Sequence, residues 1–108
     1  MKVMEKMNFS KEKLFALLCT VPYGKVVTYG ELAHMLGNKL WARAVGNALH
    51  HNPDGEKYPC YRVVNSNGKL SVSYAFGGIE AQRERLEAEG IIVENDRVDL
   101  KRYGYKEP

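Results

Sequence analysis

The chain has 108 residues, 44% hydrophobic and 27% charged, so it has room for one modest core and excludes a large multidomain machine. Sixteen Lys and Arg against thirteen Asp and Glu leave a formal charge of +3, which permits nucleic-acid contact without demanding it. Residues 1–8 carry no apolar run long enough for a signal peptide or membrane span, and Cys19 and Cys60 do not suggest a secreted disulfide scaffold. A cytoplasmic protein with free thiols and no membrane partner is expected.

Ser10 is placed to cap a first helix, with Glu12 in its first turn and Phe9 stapling onto Leu14. Leu14, Phe15, Leu17, Leu18 and Val21 give it an apolar face, and Pro22 with Gly24 ends it. Cys19 lies beside that face and reads as core. Val26 and Val27 form a short extended piece. Thr28-Tyr29-Gly30-Glu31 has the form of a capping box for a second helix over 29–36, closed by Gly37. Asn38 caps a third helix from about 39 to 51, which Pro53 stops. Two short helices joined by Gly37-Asn38 are a helix-turn-helix.

The third helix carries Ala42, Ala44, Gly46 and Ala48, and Gly46 costs it about 1 kcal/mol relative to alanine. A stripe of small residues either packs tightly on a neighbouring helix or slims the helix enough to enter a DNA minor groove. Asn65-Ser66-Asn67-Gly68 is a strong turn signal, and 69–73 reads as the return strand of a hairpin from Val63-Val64. A final helix is expected over 79–89, with Leu86 on its apolar side and Gly90 just beyond. Residues 91–93 and 98–100 flank Glu94-Asn95-Asp96 as a last hairpin. The tail 102–106 mixes cations with aromatics and reads as a solvated end. The expected fold is mainly α with short β-hairpins, a winged helix-turn-helix, as a single domain over 1–108 with its core over about 9–93.

The chemistry concentrates in Pro59-Cys60-Tyr61-Arg62-Val63-Val64. Proline fixes the local backbone, and a permanent cation beside a thiol favours the thiolate. Cys60 therefore reads either as a reactive nucleophile or as the small buried hydrophobe that most free cysteines are. His34, His50 and His51 show no zinc-ligand spacing with either cysteine, so no metal is expected.

This hexapeptide, with the runs Pro22 to Ala33 and Ala42 to Leu49 and the pair Asn52-Pro53, resembles the DNA-binding and active-site domain of the O6-alkylguanine-DNA alkyltransferases in unbroken order over about 9–90. The resemblance implies a protein that binds duplex DNA and flips an O6-alkylated guanine out of the stack, since the target carbon cannot be reached inside the duplex. It then moves the alkyl group irreversibly onto its own cysteine, with no cofactor and one turnover. The activity that the resemblance implies is that of a methylated-DNA–protein-cysteine S-methyltransferase.

By the same resemblance Cys60 is the acceptor, and Arg43 fills the space left by the flipped base. Tyr29 rotates the phosphodiester, Asn52 holds the active-site turn, and Glu89 starts a proton relay. The DNA-binding set is Arg43, Tyr29, Ala42, Ala44, Gly46, Asn47, His50 and Arg62, and Tyr74, Ala75 and Phe76 line the base pocket. The partner is double-stranded DNA containing O6-alkylguanine, met by a monomer.

One residue departs from the pattern. The family has histidine after the cysteine, and this chain has Tyr61, whose phenol at a pKa of about 10 is a poorer base than an imidazole at about 6.5. A relay Glu89–Tyr61–water–Cys60 then forms the thiolate less readily. The short length and the Asp99-Leu100-Lys101-Arg102-Tyr103 ending are those of the alkyltransferase-like subgroup, which loses the cysteine instead. The rival is therefore a non-enzymatic lesion sensor that recruits other repair proteins. An ordinary winged-helix regulator is disfavoured, because its recognition helix carries polar base-reading residues.

Overall fold

The computed structural model describes residues 9–72 and 74–106. Helix α1 (Lys11–Leu18) begins where Ser10 Oγ accepts from the Lys13 N–H, and it buries Leu14 and Leu18. The Thr20 hydroxyl donates to the Leu17 carbonyl at 2.6 Å, and the turn folds Val21 into the core. Cys19, expected in the core, is exposed. One residue past Leu18 is rotated about 100° off the Leu14–Leu18 face, and the helix has already ended.

Strand β1 (Val27–Thr28) leads into α2 (Tyr29–Leu36) through the expected capping box. Thr28 Oγ1 accepts from the Glu31 N–H and Glu31 Oε1 from the Thr28 N–H, each at 3.0 Å. Gly37 closes α2 at φ +116°, a conformation that side chains disfavour. Asn38 Oδ1 accepts from the Leu40 N–H as expected. The third helix comes in two pieces, a 3₁₀ turn at Lys39–Trp41 and then α3 (Ala42–His50). Leu32 and Ala33 of α2 and Val45, Ala48 and Leu49 of α3 are all buried. Ala48 thus faces the core, because helix positions two apart point about 200° from each other and cannot make one stripe.

Strand β2 (Val63–Val64) does not form the expected hairpin with the described residues 69–72 of the return limb. It pairs in parallel with β1, Val27 opposite Val63 and Thr28 opposite Val64. The 65–68 turn does form, with the Gly68 N–H donating to the Asn65 carbonyl at 2.8 Å. A side chain at Gly68 would collide with the Val98 carbonyl oxygen. The return limb runs to the far hairpin instead: Lys69 bridges Arg97, and the Leu70 N–H donates to the Asp96 carbonyl. Ser73, the last residue of that expected strand, and residues 1–8 lie outside the described residues.

Helix α4 (Gly78–Ala88) precedes the hairpin β3 (Val93–Glu94) and β4 (Arg97–Val98), joined by Asn95 and Asp96 at φ +54° and +57°. Two left-handed residues make the turn whose twist suits a two-residue hairpin. A short helix α5 (Leu100–Tyr103) follows. The tail is not a solvated end. The Val26 N–H donates to the Tyr103 carbonyl at 2.9 Å, the Tyr105 N–H donates to the Val26 carbonyl at 2.7 Å, and Tyr103 is buried. The interior therefore extends past 93 to Val98 and Tyr103. Among the described residues the fold is mainly helical with two small sheets, a helix-turn-helix followed by a hairpin. No helix among the described residues is long and apolar enough to cross a membrane.

Candidate functional site

The chain leaves α3 by doubling back on itself. Asn52 Oδ1 accepts from the Asp54 N–H at 2.9 Å, and Asp54 Oδ1 accepts from the N–H groups of Glu56 and Lys57. Asn52 Nδ2 donates to the Tyr58 carbonyl at 2.9 Å and to Cys60 Sγ at 3.1 Å. Asn52 thus closes the turn and also touches the sulfur. Cys60 opens a 3₁₀ turn, Cys60–Arg62, and is 6% exposed.

Above the sulfur lies a cavity of about 10 Å³, walled by Tyr29 from α2, by Gly46, Leu49 and His50 from α3, and by Tyr74 and Ala75 from the loop before α4. That volume suits at most one water and is far too small for a purine. Ser71 and Gln82 complete it. Gln82 is fully buried: its Oε1 accepts from the Ser71 N–H, and its Nε2 donates to the carbonyls of Tyr61 and Val63. One side chain therefore ties α4 to the thiol turn and to the pocket loop. Phe76 does not line the cavity. Its ring lies over Gly55, where an added Cβ would come within 2.9 Å of it, and packs edge-on to Tyr74. The glycine leaves a flat seat that draws the ring to the outer side of the loop.

The charges are arranged otherwise than the order of residues suggests. Arg62 turns away from Cys60. Its Nη2 pairs with Glu89 Oε2 at 2.7 Å, its Nε reaches both Glu89 oxygens, and its Nη1 donates to the Val21 carbonyl. With only 13% of its side chain exposed, it is neither the cation beside the thiol nor a surface contact for DNA. The 3₁₀ turn sends positions 60 and 62 to different sides, whereas the sequence makes them look adjacent. Glu89 also accepts from the Gly24 N–H at 2.8 Å and from the Tyr61 hydroxyl at 2.5 Å. Burial works against its carboxylate, but Arg62, Gly24 and Tyr61 together hold its pKa below the ordinary range.

Burial pushes the Cys60 thiol up, against the Asn52 hydrogen bond, the local backbone and the charge of Arg85. Tyr61 is also raised, by burial and then by its bond to Glu89. Tyr29 is raised by burial, opposed by a hydrogen bond from the Ser71 side chain. Ser71, Gln82 and Arg85 are site residues that the sequence reading missed. For two of them a signal existed: Gln82, Arg85 and Glu89 fall at successive steps of three and four, one face of a helix.

The outer side of α3 presents Arg43, Asn47 and His50, all exposed, with Ala44 and Gly46 half-buried between them and Ala42 against the core. A Cβ on Gly46 would meet the Tyr29 ring at 3.8 Å, ordinary contact, so the glycine leaves open space beside Tyr29 rather than relieving a clash. Among the described residues no group of three His, Cys, Asp or Glu is placed to hold a metal ion.

A helix-turn-helix whose second helix roofs a small cavity over a buried thiol defines a narrow class of protein. Residues 9–91 match the family described as 6-O-methylguanine DNA methyltransferase, DNA binding domain, and the chain belongs to that family. It is 43% identical over 95 residues to a DNA base-flipping protein of Vibrio parahaemolyticus, covering 87% of this chain and 93% of that one. It is 39% identical over 89 residues to a methylated-DNA–protein-cysteine methyltransferase of Cricetulus griseus, of which it spans 42%. The fold superposes with a TM-score of 0.82 on the Schizosaccharomyces pombe alkyltransferase-like protein solved with damaged DNA containing O6-carboxymethylguanine. That match is 35% identical and covers 90% of this chain and 94% of that one. The family therefore includes proteins named for methyl transfer and proteins named for base flipping.

Proposed function

We propose that the chain acts in the cytoplasm as a monomeric, single-domain DNA repair protein. It binds duplex DNA through α2 and α3, turns an O6-alkylguanine into the pocket above Cys60, and takes the alkyl group onto that sulfur. The observation that carries this is Cys60 Sγ at the floor of the pocket, with Asn52 Nδ2 at 3.1 Å to stabilise its anion. The relatives named for base flipping and methyl transfer, and the neighbour bound to alkylated DNA, supply the partner.

The step balances without a cofactor. The thiolate attacks the alkyl carbon, the carbon–O6 bond breaks with its electron pair going to the guanine oxygen, and the base takes up the proton that the thiol has lost. The product thioether has no leaving group to return, so one molecule handles one lesion. Arg43, exposed on α3, fills the vacated stack, where a planar guanidinium suits base faces. Tyr29 steers the backbone. Ala44 and Gly46 let α3 approach the floor of the minor groove while Asn47 and His50 flank it. Entry of a purine requires the walls of the pocket to move apart, because the resting cavity is too small.

A second reading, a lesion sensor that binds without transferring and recruits other repair proteins, is favoured by the raised thiol and by a Tyr61 proton already committed to Glu89. Intact-mass and peptide analysis after incubation with O6-methylguanine duplex separates the two. One methyl on Cys60 and none on Cys19 is the expected result. Selective binding with no added mass at saturating DNA establishes the sensor, and absence of selective binding removes both.

A further inference from the structure

We propose that Arg85 is the positioning residue of the thiol site: it supplies the positive field for the Cys60 thiolate and fixes the Tyr61 phenol beside it. The inference rests on Cys60 being the pocket nucleophile, and it gives Arg85 the part that the order of residues gives to Arg62.

Arg85 sits on α4 one turn before Glu89, with its guanidinium carbon 4.2 Å from the centroid of the Tyr61 ring. Arg62 is 5.3 Å from the same ring, but its charge is neutralised at contact distance by Glu89, which is itself buried. Arg85 has a weaker counter-ion. Its Nη1 is 3.4 Å from Glu56 Oε2, and the Glu56 side chain is 86% exposed, so water screens that pair. Much of the Arg85 field therefore remains available to the neighbouring site. Glu56 belongs to the turn that delivers Pro59 and Cys60, so the same pair also holds that turn to α4.

The phenol explains why a field is needed at all. The Tyr61 hydroxyl donates to Glu89, so its proton is committed to the carboxylate and the phenol is no base for the thiol. The Arg85 guanidinium lies over the face of that phenol ring, 4.2 Å from its centroid. With no imidazole to accept the proton, the thiolate is favoured by charge and by the Asn52 donor. The groups facing Cys60 are Tyr29 from α2, His50 from α3, Tyr74 from the pocket loop and Tyr61 at its side, with Arg62, Glu89 and Glu56 behind the phenol. Against the burial that raises the thiol, Arg85 is the cation that pulls it back.

The test needs no DNA. In a Cys19→Ser background, cysteine labelled at Cβ with carbon-13 reports the ionisation of Cys60 by NMR across pH without requiring reagent access. Arg85→Gln should move the midpoint up, with roughly two- to fivefold less thiolate at a fixed pH below it. Arg85→Lys should recover most of the loss, because it keeps the charge but not the planar stack. Glu56→Gln should shift the midpoint the other way, by less. A curve for folded Arg85→Gln that superimposes on the parent overturns the proposal, as does Arg85→Lys behaving like Arg85→Gln, which would make the role one of packing. Should Arg85→Gln fail to fold, the opposite-signed shift of Glu56→Gln decides, and no shift there sinks the idea. A displaced thiol midpoint in a protein that never acquires a methyl leaves this inference standing while the transfer reading falls.

Discussion

The helix-turn-helix and the thiol pocket share the wall formed by Tyr29 and α3, yet they are specified at different distances along the chain. The first is written within single turns: Thr28 with Glu31, Gly37, and Asn38 with Leu40 each act over four residues or fewer. The pocket joins positions far apart, Tyr61 to Glu89 across 28 residues, Gly24 to Glu89 across 65 and Ser71 to Gln82 across 11. Local rules build a recognition surface that tolerates change, while the reactive site depends on contacts that only the finished fold supplies. Damage to the shared core should affect both regions, damage to the buried ion network chiefly the pocket, and damage to a cap neither site directly.

The largest effect is expected from Leu32→Ala, which empties a fully buried position between α2 and its neighbours. It should lower unfolding free energy by about 3 to 4 kcal/mol in urea melts. Because both regions lean on this core, binding and thiol reactivity should decline together. Loss of one without the other would show that the two regions fold separately.

Next comes Glu89→Gln, which leaves Arg62 without its carboxylate in a poorly exposed setting. It should cost about 2 to 3 kcal/mol at pH 7. The pH dependence has a definite sign. The folded pKa of Glu89 is lowered, so its contribution is complete above the unfolded value of about 4.3 and is lost as pH falls through the depressed one. Urea midpoints from pH 7 to pH 2 should therefore converge for parent and variant in acid. A gap that persists at the lowest pH would assign the loss to packing.

How far each region was legible follows from the same distances. The capping box and the Gly37 stop are readable because their partners lie within a few residues. So is a last hairpin, although its turn is Asn95-Asp96 alone, Glu94 pairing with Arg97, and Leu100 opens a helix instead of extending the strand. The parallel pairing of Val63 with Val27 is not, since an apolar pair followed by Asn65-Ser66-Asn67-Gly68 has the same local look whether it turns back on itself or joins a distant strand. Cys19 was misread because the α1 pattern does not reveal where the helix stops. Resemblance pointed to Cys60, Tyr29, Asn52 and Glu89 as candidates, but adjacency in sequence hid the fact that Arg62 pairs with Glu89.

A smaller effect, in rate rather than stability, is expected at Tyr61. The thiol is raised, so alkyl transfer by the parent should be slow at pH 7 and quicken as pH rises toward 9. Tyr61→His should raise the pH 7 rate roughly tenfold, less than the about 100-fold or more of full general-base assistance. Combining it with Glu89→Gln should return the rate toward the parent, because the imidazole needs that carboxylate to orient it. Quench-flow transfer assays across pH would expose a parent that is already fast and flat, which would make the phenol an adequate substitute.

The smallest effect tests the local side of the comparison. Thr28→Ala deletes the oxygen that accepts from the Glu31 N–H and the hydroxyl that meets Glu31 Oε1, while β1 still pairs through its backbone with β2. The cost should be about 1 kcal/mol, as for other cap deletions, and Thr28→Ser should recover most of it. Tyr29 is the first residue of α2 and also a wall of the pocket, so fraying has a route to the thiol. Backbone pairing of Thr28 with Val64 anchors the turn on the strand side, however, and the Tyr29 phenol is held separately by Ser71. The Cys60 midpoint should consequently stay within error of the parent while the melt shifts. A midpoint displaced as far as in Arg85→Gln would mean that the helix terminus, three residues of local code, helps to define the reactive site, and the division between the two regions would fail.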